Sequence, residues 1–191
     1  MAITFSLVIE DRSLFLHGLK GLVVSLSMCL LFGFCYGMIV FIWPTNWQPP
    51  EGFFPTSEMS SRGGFRGLWY GACQGSAAGG AVAVTLLHDN YCSLVGAAVA
   101  STFLPPFINT GLLWAMAVHI QIRGNFEEIV PINISGTVVF LKPAWAPMPG
   151  YHPAYMMDMR KEAALLGCVS MLLTIVNVVG MIIFSYIVLR V

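Results

Sequence analysis

Long apolar runs, each free of Asp, Glu, Lys and Arg, alternate along the chain with polar connections. Four such runs stand out: Gly21 to Trp43, Gly67 to Leu87, Tyr91 to Val118 and Ala163 to Leu189. About 20 apolar residues cross a hydrocarbon core of roughly 30 Å. The first, second and fourth runs therefore predict membrane-spanning helices, the fourth with some tilt. Helices are the expected form because a backbone in lipid must satisfy its own polar groups. The alternating short segments of a membrane barrel are not seen. The third run would make a helix of about 42 Å at 1.5 Å per residue, longer than a bilayer core needs. It also carries Pro105-Pro106 at its middle. The pair removes two N–H donors and disfavours helical geometry at Leu104. Two half-helices are predicted, Tyr91 to Leu104 and Phe107 to Val118, forming one broken span or a re-entrant hairpin. The expected fold class is all-α: a polytopic transmembrane helix bundle of about four spans, one of them broken by proline.

Composition agrees with this pattern and narrows the function. Only 9% of the 191 residues are charged and 57% are hydrophobic, with mean hydropathy +0.78. Soluble globular proteins carry roughly 25% charged residues. Nine acids and nine bases cannot coat a soluble enzyme of this length, and net charge is zero. The Lys and Arg residues do not cluster, so no nucleic-acid partner is expected. The expected partner is the lipid bilayer, and the expected location is an unspecified membrane, crossed several times. Residues 1–191 read as a single membrane domain with extramembrane or interfacial loops at 44–66 and 119–162. Thr56 or Ser57 is expected to start a short helical turn in the first loop. Trp145, Tyr151 and Tyr155 in the second loop are typical of headgroup depth. With four spans, six of the nine basic residues lie in these two loops, which favours a cytoplasmic side for both; the Asn133-Ile-Ser sequon favours the opposite. Cys29, Cys35, Cys73, Cys92 and Cys168 form no C-x-x-C pair and read as small packing residues.

Two runs carry small residues at steps of four: Gly67, Gly71, Gly75, Gly79 and Ala83 in the second, and Gly21, Ser25, Cys29, Gly33 and Gly37 in the first. Such a repeat follows one side of a helix and lets backbones approach closely. Gly33, Gly37, Gly67, Gly71, Gly75 and Gly79 are the expected helix-packing positions. The fourth run carries Ser170, Thr174, Asn177 and Ser185 as a polar stripe. Asn177, and Gln74 midway along the second run, must face protein or a wet cavity rather than acyl chains.

The stretch from Ser93 to Trp114, with Val95-Gly-Ala and Leu104-Pro-Pro, resembles the signature of an uncharacterised membrane family, domain of unknown function 389. Pro55-Thr-Ser-Glu-Met-Ser-Ser-Arg62 is similar to its loop motif before a glycine-rich helix, and Asn177-Val-Val-Gly-Met-Ile-Ile-Phe184 to its final helix. The resemblance covers nearly the whole chain. It implies a multi-helix membrane domain with no established activity. It also implies an upstream proline-containing helix absent here. The 191 residues then correspond to the C-terminal part of a longer domain, and Met1 to Ile9 to the tail of a helix. Paired proline-interrupted segments in two halves of a chain point to a transporter's central site.

At the proline pair, carbonyls around Ser101 and Thr102 lose their helical donors and need other partners. Ser101, Thr102, Asn109 and Thr110 bracket Pro105 and Pro106. With Gln74 and Asn177 they are expected to form one polar pocket at mid-depth. No acid or base lies within the four runs, so a carboxylate proton relay is not encoded there. His88-Asp89 lies at a membrane boundary and reads as a turn between helices, His17, His119 and His152 are isolated, no metal site or cofactor is expected, and no catalytic motif occurs. The expected function is passage of a small solute or ion through a site at the broken third helix, without enzymatic activity. The alternative is a non-transporting membrane subunit that packs through its Gly-x-x-x-Gly faces against a second copy or the missing half of its domain.

Overall fold

The computed structural model describes residues 2–42, 55–87, 92–123 and 152–190. Six helices occupy them: α1 (Ala2–Ile9), α2 (Arg12–Ile42), α3 (Ser57–Arg62), α4 (Phe65–Leu87), α5 (Cys92–Arg123) and α6 (Met159–Arg190). No strand occurs among the described residues. The sequon at Asn133, the His88-Asp89 turn, the greater part of the second loop and the side chain of Ser101 lie outside them. The helices reach further into the loops than the apolar runs suggest, with α5 continuing to Arg123 and α6 beginning at Met159.

Local chemistry sets several boundaries. Glu10 takes a left-handed φ of 61°, which ends α1 and turns the chain back. The Asp11 carboxylate then accepts from the Ser13 N–H at 2.9 Å and caps α2. Thr56 caps α3, its hydroxyl accepting from the Met59 N–H at 3.3 Å. At α6, Asp158 accepts from the Arg160 N–H at 3.1 Å through its side chain and from the Glu162 N–H at 2.8 Å through its carbonyl.

Three helical segments are long and apolar enough to cross a membrane: Arg12–Phe41, Thr102–Ile122 and Met159–Arg190. The expected second span, now α4, is not among them. Its 23 residues suffice in length, but glycine, Gln74 and Arg66 dilute its apolarity. The expected break in the third run is also absent. α5 is a continuous helix with Pro105 and Pro106 inside it. Asn177 of α6 supplies a donor to the Thr102 carbonyl, which Pro106 leaves without one.

The helices pack as neighbours in a defined order. α2 lies along α5 in the same direction, with Gly33 against Ile108 and Gly37 against Ala115 and Leu112. α5 runs antiparallel to α6, Thr102 meeting Asn177 and Thr110 meeting Gly167. α4 runs alongside α6, Gly75 against Asn177 and Gly79 against Met181. The approach is very close. A Cβ at Gly75 would stand 2.7 Å from the Asn177 carbonyl oxygen, and one at Gly33 would stand 2.6 Å from that of Ile108. Gly67 differs from the rest of its series: its nearest neighbour is the Ser61 carbonyl at the end of α3, not α6. Gly21 faces open space.

Polar side chains are buried beside an apolar core, and large apolar ones stand outside. Thr102, Asn109, Thr110, Ser170, Thr174, Asn177 and Ser185 are buried, whereas Met28, Leu31, Phe32, Ile39 and Ile183 stand exposed on the outside. Cys35, Cys73 and Cys168 are free thiols on that outer surface rather than packed inside, and Cys29 is half-buried. An exposed apolar surface of this extent is costly in water.

The glycine contacts generate a direct test. Gly75→Leu should force α4 from α6, lowering stability by at least about 1–3 kcal/mol, the usual range for overpacking. Gly21→Ala should leave stability unchanged or slightly raised, since nothing lies within 4 Å of the added carbon. Thermal unfolding of both variants in detergent checks the contrast.

Candidate functional site

In a regular helix the N–H of residue 106 would bond to the carbonyl of residue 102. Proline has no such N–H. Asn177 of α6 replaces it, its Nδ2 donating to the Thr102 carbonyl at 3.2 Å. One turn on, the Pro106 carbonyl accepts from the Ser170 hydroxyl at 2.7 Å and from the Thr110 hydroxyl at 3.0 Å. Thr110 also lies 3.2 Å from the Gly167 carbonyl, so its one proton is shared between two helices. Asn109 completes the mesh. Its Nδ2 donates to the Ser170 hydroxyl at 3.2 Å and to the Met59 carbonyl at 3.3 Å, tying α3, α5 and α6 together. Buried polar groups in such a mesh must be satisfied to be stable. One is not: Asn177 is 1% exposed and its Oδ1 has no partner. The amide cannot simply be flipped, since Oδ1 would then face the Thr102 carbonyl, acceptor against acceptor.

Beside this mesh lies a cavity of about 740 Å³ between α4, α5 and α6. Thr102, Pro105, Pro106 and Asn177 form its α5–α6 wall, and Tyr70 and Gln74 stand on its α4 wall. Arg62, Arg66 and Tyr155 line it at the end formed by the α3–α4 turn and the segment before α6. Gly71 matters here: a Cβ on it would stand 2.5 Å from Asn177 Oδ1. Without one, the amide oxygen sits directly behind the cavity wall, next to the Leu173 side chain.

That end of the cavity is held by Glu162. The carboxylate is fully buried and accepts from the N–H groups of Ala154 at 2.7 Å, Tyr155 at 3.1 Å and Met156 at 2.7 Å. Three donors on one carboxylate fix the strap from Ala154 to Met156 over the start of α6. The Tyr155 hydroxyl donates to the Gly63 carbonyl at 2.9 Å, and its ring meets Phe65 edge-on. Burial pushes the Tyr155 phenol above its usual range; a backbone hydrogen bond from Phe65 opposes this and the Glu162 charge adds to it. A hydrogen bond from Arg160 holds Asp158 below the usual carboxylate range.

A model of the family described as Domain of unknown function (DUF389) matches residues 1–183. The chain belongs to this family. No curated protein and no solved structure matches it. The match takes in every helix of this DUF389 chain except the last turns of α6.

Of the site residues expected from sequence, this DUF389 structure gathers Gln74, Thr102, Pro105, Pro106 and Asn177 around the cavity. Asn109 and Thr110 stand apart from it, in the mesh that joins α3, α5 and α6. Ser101 lies in α5 with its side chain outside the described region. Sequence reasoning missed Arg62, Arg66, Tyr70, Tyr155 and Glu162. For Tyr155 and Glu162 the only available signal was a titratable residue next to the start of an apolar run. Among the described residues no group of three His, Cys, Asp or Glu could hold a metal ion.

Two outcomes follow for the strap. Glu162→Gln places an amide N–H₂ among backbone donors and should cost about 1.5–3 kcal/mol, as for a charged hydrogen bond lost inside a protein. Tyr155 binds its proton more tightly folded than unfolded. Its contribution is therefore complete below about pH 10, the unfolded value, and is lost as pH rises further. Melting temperature measured from pH 8 to 11 should fall more steeply for the wild type than for Tyr155→Phe.

Proposed function

We propose that this DUF389 domain is a multi-pass membrane protein that admits a small solute or ion through the cavity beside Pro105-Pro106. α4 crosses with the three more apolar helices in this reading, its glycine face shielded by α6. One observation carries it: a buried amide at the cavity wall gives its donors to a proline-freed carbonyl and keeps an acceptor unspent. A purely structural kink needs the first half of that arrangement and not the second. Freed backbone and half-satisfied side chains near the middle of a membrane helix are typical of solute pathways.

A second reading is favoured by a different observation. The Gly33 and Gly75 contacts bring backbones nearly together, a geometry suited to a non-transporting subunit whose role is assembly through Gly-x-x-x-Gly faces. Flux separates the two. Proteoliposomes holding the full chain should pass at least one member of a panel of labelled small anions, cations and neutral polar solutes. Gln74→Leu, a change on an exposed side chain, should cut that flux several-fold with little change in melting temperature. Asn177→Leu should abolish it, and Asn109→Leu should lower stability instead. Wild-type flux in both Gln74→Leu and Asn177→Leu, or no flux of any solute with intact protein, overturns the transport reading and leaves the assembly reading.

A further inference from the structure

We infer that the solute taken by this cavity is a small anion of the phosphate or carboxylate class that also carries a hydrogen-bond donor. The inference rests on the reading of the cavity as a solute site and adds its chemistry. Three observations converge. First, among the described residues the charged side chains lining the cavity are Arg62 and Arg66, with no Asp or Glu. A cleft lined by one sign of charge concentrates ions of the other. Second, the two arginines are not equivalent. Arg62 is neutralised by Glu58, its neighbour one turn back in α3. Arg66 forms no ion pair among the described residues and lies in the first turn of α4, a 23-residue helix whose N-terminal N–H groups add positive potential. A guanidinium offers paired donors that match a phosphate or carboxylate edge. Third, the deep end of the cavity offers the opposite chemistry. The spare valence of Asn177 is an acceptor, so it calls for an N–H or O–H on the solute.

The spacing sets a size. Arg66 and Gly71, which lies over Asn177 Oδ1, are five residues apart on α4, a rise of about 7.5 Å. An anionic head at Arg66 and a donor three or four bonds away span that gap once the guanidinium reaches inward and the Leu173 side chain turns from the amide oxygen. Inorganic phosphate meets the first requirement but carries its O–H on the charged head itself, too near to reach the amide oxygen. Choline has an O–H but the wrong charge for Arg66, and glycerol has donors and no charge.

Isothermal titration of the full chain in nanodiscs tests this with four probes: glycerol 3-phosphate, inorganic phosphate, glycerol and choline. Glycerol 3-phosphate should bind at least fivefold more tightly than inorganic phosphate, and glycerol and choline should not register. Arg66→Gln, on an exposed side chain, should weaken both anions about tenfold. Asn177→Leu, where it folds, should erase the preference for glycerol 3-phosphate over phosphate. Competition by phosphatidylglycerol in the nanodisc, and not by phosphatidylcholine, identifies a lipid headgroup as the source of the same chemistry; no competition identifies a free solute. Stronger binding of glycerol or choline than of either anion, or unchanged anion affinity in Arg66→Gln, overturns the inference. So does equal affinity for the two anions in the wild type, which removes the donor. If none of the four probes binds while proteoliposomes still pass a cation or neutral solute through a Gln74-dependent route, this inference fails and the solute pathway stands. No binding together with no flux of any solute overturns both.

Discussion

Pro106 deprives the Thr102 carbonyl of its helical donor, and Asn177 of α6 supplies a replacement at 3.2 Å. The arrangement of the domain depends on this exchange. A buried carbonyl left without a donor is costly, so another helix must bring one to it. α6 brings Asn177 to the Thr102 carbonyl, and Ser170, two turns away on the same face, adds a bond to the Pro106 carbonyl. That requirement fixes the depth of α6 against α5 and its rotation about its own axis. The same face of α6 then presents the Asn177 backbone to α4, where the lack of a side chain at Gly75 accommodates it.

Polar bonds and glycine contacts thus divide the work of assembly. Hydrogen bonds set register between α5 and α6. Close backbone approach sets the distance from α6 to α4 and from α5 to α2. Apolar side chains fill the space between these contacts, as where Ala78 and Val82 of α4 meet Phe103 of α5 and Val178 and Met181 of α6. The cavity follows from the same division. α4 contacts α6 far more than α5, and the space left between α4 and the proline segment is closed at one end by the Tyr155 strap.

Much of this arrangement was legible in the residues, and the reasons for the rest are physical. Uncharged runs located the helices because lipid selects against charge along a whole segment. The stripe Ser170, Thr174, Asn177 marked the side of α6 that turned out buried, since steps of four and three residues keep to one helix face and polar groups are costly in hydrocarbon. The proline pair was located correctly but its consequence was not. Proline's local effect is readable from sequence, whereas the donor that compensates it, on Asn177, sits 75 residues from Thr102. α4 was taken as a span on length and lack of charge, and glycine's small contribution to apolarity separates it from the other three. Asn109 and Gln74 look alike in sequence, yet one is bonded on both amide hydrogens and the other stands open at a cavity. Arg66 and Tyr155 belong to loops by composition, and only the folded end of the bundle brings them to the same opening.

The order of synthesis adds a consequence. α5 leaves the ribosome before α6, and a connecting segment separates them. During that interval the Thr102 carbonyl lacks the donor that α6 later provides, whereas the Pro106 carbonyl already has the Thr110 hydroxyl of its own helix. The segment around Pro105 and Pro106 is therefore the part of the bundle that only its last helix completes.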